Sequence, residues 1–137
     1  MGRVFFNTRL NIDTKSCTGT DTYVMRAEDS GKTFLVSGGA QAITLLPAAS
    51  LIEGWNCKFL TTASPGGDKV IGAGSTIMHG ASANGSGDAG GVSDGTAKTS
   101  VTIEAASQAG NMVEIICDGS LYHVSGTHGQ NNATTFA

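Results

Sequence analysis

The stretch Asn111–Gly126, NMVEIICDGSLYHVSG, limits the fold more than any other part of this chain. Two β-type runs, Met112–Cys117 and Ser120–Ser125, flank the dipeptide Asp118-Gly119. Asp-Gly accepts the positive φ angles of a two-residue type I′ turn, whose twist matches paired strands. Such a loop predicts Cys117 opposite Ser120, Ile115 opposite Tyr122 and Val113 opposite Val124, all on one face because side chains alternate along a strand. The second face carries Met112, Ile116 and Leu121, with Glu114 opposite His123 in a cross-strand ion pair. A hairpin apolar on both faces needs cover on both, and a second copy of the chain is one source. The expected core includes Phe59, Val113, Ile115, Tyr122 and Val124, with Trp55 at its margin.

A length of 137 residues favours one domain with a modest core. Charged residues make up only 14%, low for a soluble monomer, and 20 glycines against 2 prolines suit many short strands joined by turns. A net charge of −3 gives no support to nucleic-acid binding. No apolar run approaches the roughly 20 residues that span a bilayer, and MGRVFFNTRL lacks the pattern of a signal peptide. Cys17, Cys57 and Cys117 are odd in number and widely spaced, and read as free thiols made in a reducing cytoplasm.

Residues 1–20 differ from the rest. Arg3, Val4, Phe5, Phe6, Arg9, Leu10 and Ile12 make an aromatic arm that carries +2, so the remainder of the chain carries −5. The arm either docks elsewhere, on trimer mates or another protein, or folds back as a first edge strand. A β-domain over residues 21–126 follows. Strands are expected at Tyr23–Arg26, Thr33–Val36, Ile43–Leu46, Trp55–Thr62, Lys69–Ile71, Ser75–Met78 and Ser100–Glu104, with one helical turn over Ala48–Ile52. Within the domain, His79–Lys98 reads as a long glycine-rich surface loop. Residues 127–137 read as a polar tail that is extended or disordered unless a partner orders it. The fold class is all-β: a compact sandwich or jelly-roll-like or barrel-like domain of short antiparallel strands, closed by the Asp-Gly hairpin.

The sequence carries no recognisable catalytic or cofactor pattern. Gly72-Ala73-Gly74-Ser75 and Pro65–Lys69 do not match a phosphate-binding loop. Asp88 and Asp94 lack calcium-loop spacing. His79, His123 and His128 bind metal only if the fold or a three-fold axis converges them. No nucleophile pairs with a base. The expectation is no enzyme and no cofactor.

Asp29-Ser30-Gly31-Lys32-Thr33-Phe34, then Ile43-Thr44-Leu45-Leu46-Pro47, then Gly110–Glu114 and Cys117–Gly126 together resemble the small β-domains of tailed-phage structural proteins. The resemblance is to capsid decoration (cement) proteins and to head-fibre or tail-fibre modules. Their outline is D-x-G-K-x-F, a strand ending T-L-P, then G-D/N-x-V-E-L and S/C-D-G-x-x-W/Y-x-V-x-G. The match covers about residues 22–126, with Tyr122 where many such modules carry Trp and a doubled Leu before Pro47. It implies a non-enzymatic homotrimer, made in the host cytoplasm and carried on the outer capsid surface of the virion. There it would bind the major capsid protein. The basic, aromatic character of the arm, not the resemblance, makes Arg3, Val4, Phe5, Phe6, Arg9, Leu10 and Ile12 the expected contact. Charge and hydropathy point to neither nucleic acid nor membrane as partner. The alternative implied is a receptor- or glycan-binding module of a fibre or tail. A polysaccharide hydrolase would require a carboxylate pair across a cleft, which sequence does not place.

Overall fold

The computed structural model describes residues 14–84, 96–129 and 133–137. Eleven strands form among them: β1 Thr14–Cys17, β2 Tyr23–Val24, β3 Thr33–Val36, β4 Gln41–Thr44, β5 Asn56–Thr61, β6 Lys69–Gly72, β7 Met78–Asn84, β8 Ser100–Ile103, β9 Met112–Cys117, β10 Tyr122–His128 and β11 Thr134–Phe136. They build a six-stranded sheet, ordered β1-β3-β5-β9-β10-β7, and a five-stranded sheet, ordered β11-β8-β6-β4-β2, packed face to face. The all-β sandwich expected from the sequence is present.

The expectation of antiparallel strands holds only for part of it. Strands β1 to β6 alternate between the sheets, and each of β1 to β4 pairs in parallel with the strand two places on. The first half of the chain therefore winds as three turns of a flattened coil. Sequence alternation marks which residues point inward and is silent on whether a neighbour runs parallel. The return half then adds β8 against β6 and β9 against β5, both antiparallel.

In-register pairing stacks like positions on top of one another, one strand spacing (~4.8 Å) apart. Lys15, Phe34, Phe59 and Val113 form one inward row, and the rings of Phe34 and Phe59 stack with centroids 5.0 Å apart. Tyr23, Ile43, Ile71, Val101 and Phe136 form the facing row. One corner of each turn is narrow. A Cβ on Gly38, whose φ is +73°, would sit 2.1 Å from the Thr18 carbonyl oxygen, and one on Gly67 would sit 2.3 Å from the Ala40 nitrogen. The opposite corners of the first two turns carry 3₁₀ turns at Ala27–Asp29 and Ala48–Ser50, the second where a helical turn was expected.

Phe59, Val113, Ile115, Tyr122 and Val124 are buried as expected, and Cys17, Cys57 and Cys117 are buried free thiols. Trp55 is not marginal: it is 1% exposed, sets its ring edge-on to Tyr122, and donates from Nε1 to the Ala27 carbonyl at 3.1 Å. That acceptor is what makes burial of the indole N–H tolerable. The Tyr122 hydroxyl donates to the Leu46 carbonyl at 2.5 Å, tying the last hairpin to the second turn of the coil.

The hairpin register differs from the expected one by two residues. Tyr122 pairs with Cys117, Val124 with Ile115 and Ser125 with Glu114. The cause is Asp118, whose Oδ1 accepts the Ser120 and Leu121 N–H groups at 2.8 and 2.7 Å and so widens the loop to four residues. A shift of two preserves facing, so the core face is unchanged. Glu114 consequently meets Lys58 at 3.5 Å instead of His123.

Two segments expected to be irregular contain strand. Met78–Asn84, the start of the expected loop, pairs in parallel with β10 along its whole length, so the strand expected at Ser75–Met78 lies further on. Its small side chains are a steric requirement: a Cβ on Gly80 would lie 2.1 Å from the Val124 carbonyl oxygen. Residues 85–95 of that loop lie outside the described residues. The expected tail returns as β11 beside β8, with Thr134 buried.

The corner geometry generates a prediction. Gly38→Ala and Gly31→Ala both place a side chain at positive φ, but only Gly38 faces a backbone oxygen. Gly38→Ala should lower the denaturant-unfolding free energy by at least about 1 kcal/mol more than Gly31→Ala. Equal losses would show that the corner stacking contributes nothing.

Candidate interaction surface

Four places gather chemistry or unusual surface among the described residues. The first is the open end of the coil, where β1 and β2 are the edge strands of the two sheets. Tyr23 joins them: Lys15 donates to its hydroxyl and lies 4.0 Å over its ring, and the hydroxyl donates to Asp29 Oδ2 at 2.7 Å. Asp29, 1% exposed, also accepts the Arg26 N–H at 2.9 Å and pairs with Lys32 at 3.0 Å. Burial pushes its carboxyl up, but the bonds from Tyr23, Lys32 and the Arg26 backbone and the charge of Lys15 outweigh burial and hold it low. The expected alternative of the arm as an edge strand describes Thr14–Cys17. Arg3, Val4, Phe5, Phe6, Arg9, Leu10 and Ile12 lie outside the described residues.

The second place is a polar pocket between the sheets. The side chain of Lys69 is buried and its ammonium donates to the Gly19 carbonyl at 3.1 Å and to Gln41 Oε1 at 3.5 Å. Cys17 Sγ shares that Gln41 acceptor at 3.1 Å. Burial lowers the Lys69 pKa and raises that of Cys17, each opposed by the other's charge. Neutral acceptors around a buried amine hold the first two corners together without opening to solvent.

The third is the outer face of the five-stranded sheet. Register aligns it into two rows, Val24–Thr44–Gly72–Ser100 and Ala42–Val70–Thr102–Thr135. None of the eight is charged, and Val24 and Val70 are 53% and 41% exposed. A solvated sheet face ordinarily alternates to charged and polar groups. The sequence does not mark these eight positions as one surface, because strands of two to four residues give too short a pattern.

The fourth lies on the outer face of the six-stranded sheet. His79 on β7 and His123 on β10 are direct register partners. Both line a cleft of about 250 Å³ with Gly80, Ile116, Val124 and Ser125. His123 Nε2 meets Asp118 Oδ2 at 2.7 Å. Hydrogen bonds from His123 and from the Leu121 and Ser120 amides take the Asp118 carboxyl down to about 2. The fold thus brings together two of the three histidines. The third, His128, is buried at the far end of β10, where burial lowers its pKa. No group of three or more His, Cys, Asp or Glu side chains converges on a common centre among the described residues. A larger cleft of about 530 Å³, lined by Leu45, Pro47, Ala48, Ala73 and Ile77 among others, is apolar and gathers no titratable group.

No helix among the described residues is long and apolar enough to cross a membrane. Comparison with protein-family models, with curated proteins and with solved structures found no match.

The Asp29 network generates a pH prediction. A carboxyl held below its ordinary value stabilises the fold fully above the unfolded pKa of ~4, and the contribution fades as pH falls through and below that value. Asp29→Asn should cost about 1–3 kcal/mol at pH 7, and the gap to the parent should narrow in melts run from pH 5 to pH 2. A gap that stays constant across that range would remove Asp29 from the acid response.

Proposed function

We propose that this protein is a structural component of a phage virion: a capsid decoration protein that binds the outside of the shell, contacts the major capsid protein and stabilises it as a homotrimer. The observation that carries this reading is the uncharged outer face of the five-stranded sheet. Eight small or β-branched positions form an uncharged patch, bordered by the Glu104 carboxylate at Thr135, and such a patch suits burial against protein. Each of its two rows crosses four strands, and together they span the sheet, broad enough to form one side of a subunit contact in a closed ring. The resemblance of residues 22–126 to virion β-modules supplies the trimer and the shell as the partner.

The arm is the proposed shell contact. It enters the domain at β1, an edge strand at the open end of the coil, so three copies would present three arms from equivalent ends. Phe5 and Phe6 would supply aromatic anchors, Arg3 and Arg9 would pair with shell carboxylates, and Val4, Leu10 and Ile12 would add apolar contact. Weak contacts gain from being tethered in threes. A glycan-binding fibre module draws less support, since sugar stacking needs exposed rings. Trp55, Tyr122, Phe34 and Phe59 are each no more than 1% exposed.

Two measurements test this. Val70→Glu places a charge at the centre of the uncharged face, and sedimentation should show the trimer reduced to monomer with the far-ultraviolet spectrum unchanged; an unaltered mass would move the self-contact elsewhere. Deleting residues 1–13, which spares β1, should abolish saturation of capsids stripped of this protein. Unchanged affinity would shift attachment to the β-body.

A further inference from the structure

We propose that His79 and His123 form a two-imidazole site for a transition-metal dication of the zinc, copper or nickel class, with Asp118 as the positioning residue. Parallel register sets the two histidines side by side on adjacent strands, on one face, at one level. Direct partners across a sheet have Cβ atoms roughly 5 Å apart, a separation at which two imidazoles can chelate one ion. Both side chains border the same cleft, whose remaining walls are Gly80, Ile116, Val124 and Ser125. Ser125, next outward after His123 on β10, is small and crowds the ion and its waters little.

Asp118 makes the pair more than a coincidence of register. Its Oδ2 lies 2.7 Å from His123 Nε2. A carboxylate there accepts the Nε2–H, which fixes the tautomer and leaves the Nδ1 lone pair free to bind a metal. The carboxylate is itself held by the Ser120 and Leu121 amides through Oδ1, at 2.8 and 2.7 Å. Carboxylate, imidazole and metal in that order are the usual arrangement around a ligating histidine. The four-residue loop that shifts the hairpin register is thus the same device that aims His123.

Two protein ligands leave the remaining positions to water or to a donor from outside the chain, so the site binds metal without enclosing it. Imidazole donors favour zinc, copper and nickel over magnesium and calcium, which prefer hard oxygen ligands. His128 provides an internal control. It is buried at the end of β10, remote in register from the pair, and its Nδ1 faces Thr134.

Calorimetric titration of the full chain with ZnCl₂, NiCl₂ and MgCl₂ tests the assignment, alongside two-dimensional NMR of the imidazoles. Zinc and nickel should each bind at one site per chain, with nickel broadening the His79 and His123 ring signals and sparing His128, and magnesium should give no heat. His79→Ala, at a surface position, should abolish that binding while leaving the melting temperature without metal unchanged. Asp118→Asn, which retains both ligands, should weaken zinc by roughly tenfold or more, and His128→Gln should leave it intact. Absence of zinc and nickel binding, or binding that survives His79→Ala, would overturn the proposal. Full affinity in Asp118→Asn would remove Asp118 from it.

Discussion

In-register stacking of inward side chains across three turns of a two-sheet coil is the constraint on which the rest of this structure rests. Phe34 lies on Phe59 because β3 and β5 are parallel neighbours, and Ile43 lies on Ile71 for the same reason in the facing sheet. A parallel stack fixes the spacing of every corner as well as every strand. Where a corner is narrow, the backbones of successive turns approach closer than a Cβ allows, which is why Gly38 and Gly67 stand there. Burial of the two rows supplies the main favourable term, and the corners decide whether the rows can form.

The coil has two unlike ends. Its last turn is continued by the antiparallel strands β8 and β9, and Tyr122 and Trp55 lock the hairpin side to the 3₁₀ corners by hydrogen bonds to Leu46 and Ala27. Its first turn has no such continuation among the described residues. There the inward positions of β1 and β2 are Lys15 and Tyr23, and the polar groups they bring satisfy one another around buried Asp29. Polar closure of an open end, rather than apolar closure, keeps an edge strand from presenting a bare hydrophobic row.

The two outer faces also differ. The six-stranded sheet carries the Lys58–Glu114 pair and the His79–His123 partnership beside an apolar row, Leu35–Leu60–Met112, and the exposed Ile116. The five-stranded sheet has only hydroxyl, methyl and glycine positions in its two rows, and the Glu104 carboxylate borders them, accepting from the Thr135 hydroxyl at 2.6 Å. Charge on the six-stranded sheet is carried within its strands, whereas the two central rows of the five-stranded sheet carry none.

The sequence by itself determined the all-β class and the inward residues of β5, β9 and β10, because alternation of apolar and polar residues depends only on neighbours along the chain. The register of the hairpin escaped it, since Asp118 acts through hydrogen bonds two and three residues away and Asp-Gly alone reads as a tighter turn. The strand Met78–Asn84 escaped it for a steric reason. Gly80 there answers to the Val124 backbone, a constraint that no strand propensity signals. Thr134–Phe136 carried a β-branched and aromatic signal too short to stand against its polar surroundings. Whether neighbouring strands run parallel, which histidines meet and which sheet face is free of charge were decided only by tertiary structure. Each depends on residues far apart in the chain being set side by side, and no local pattern encodes that placement.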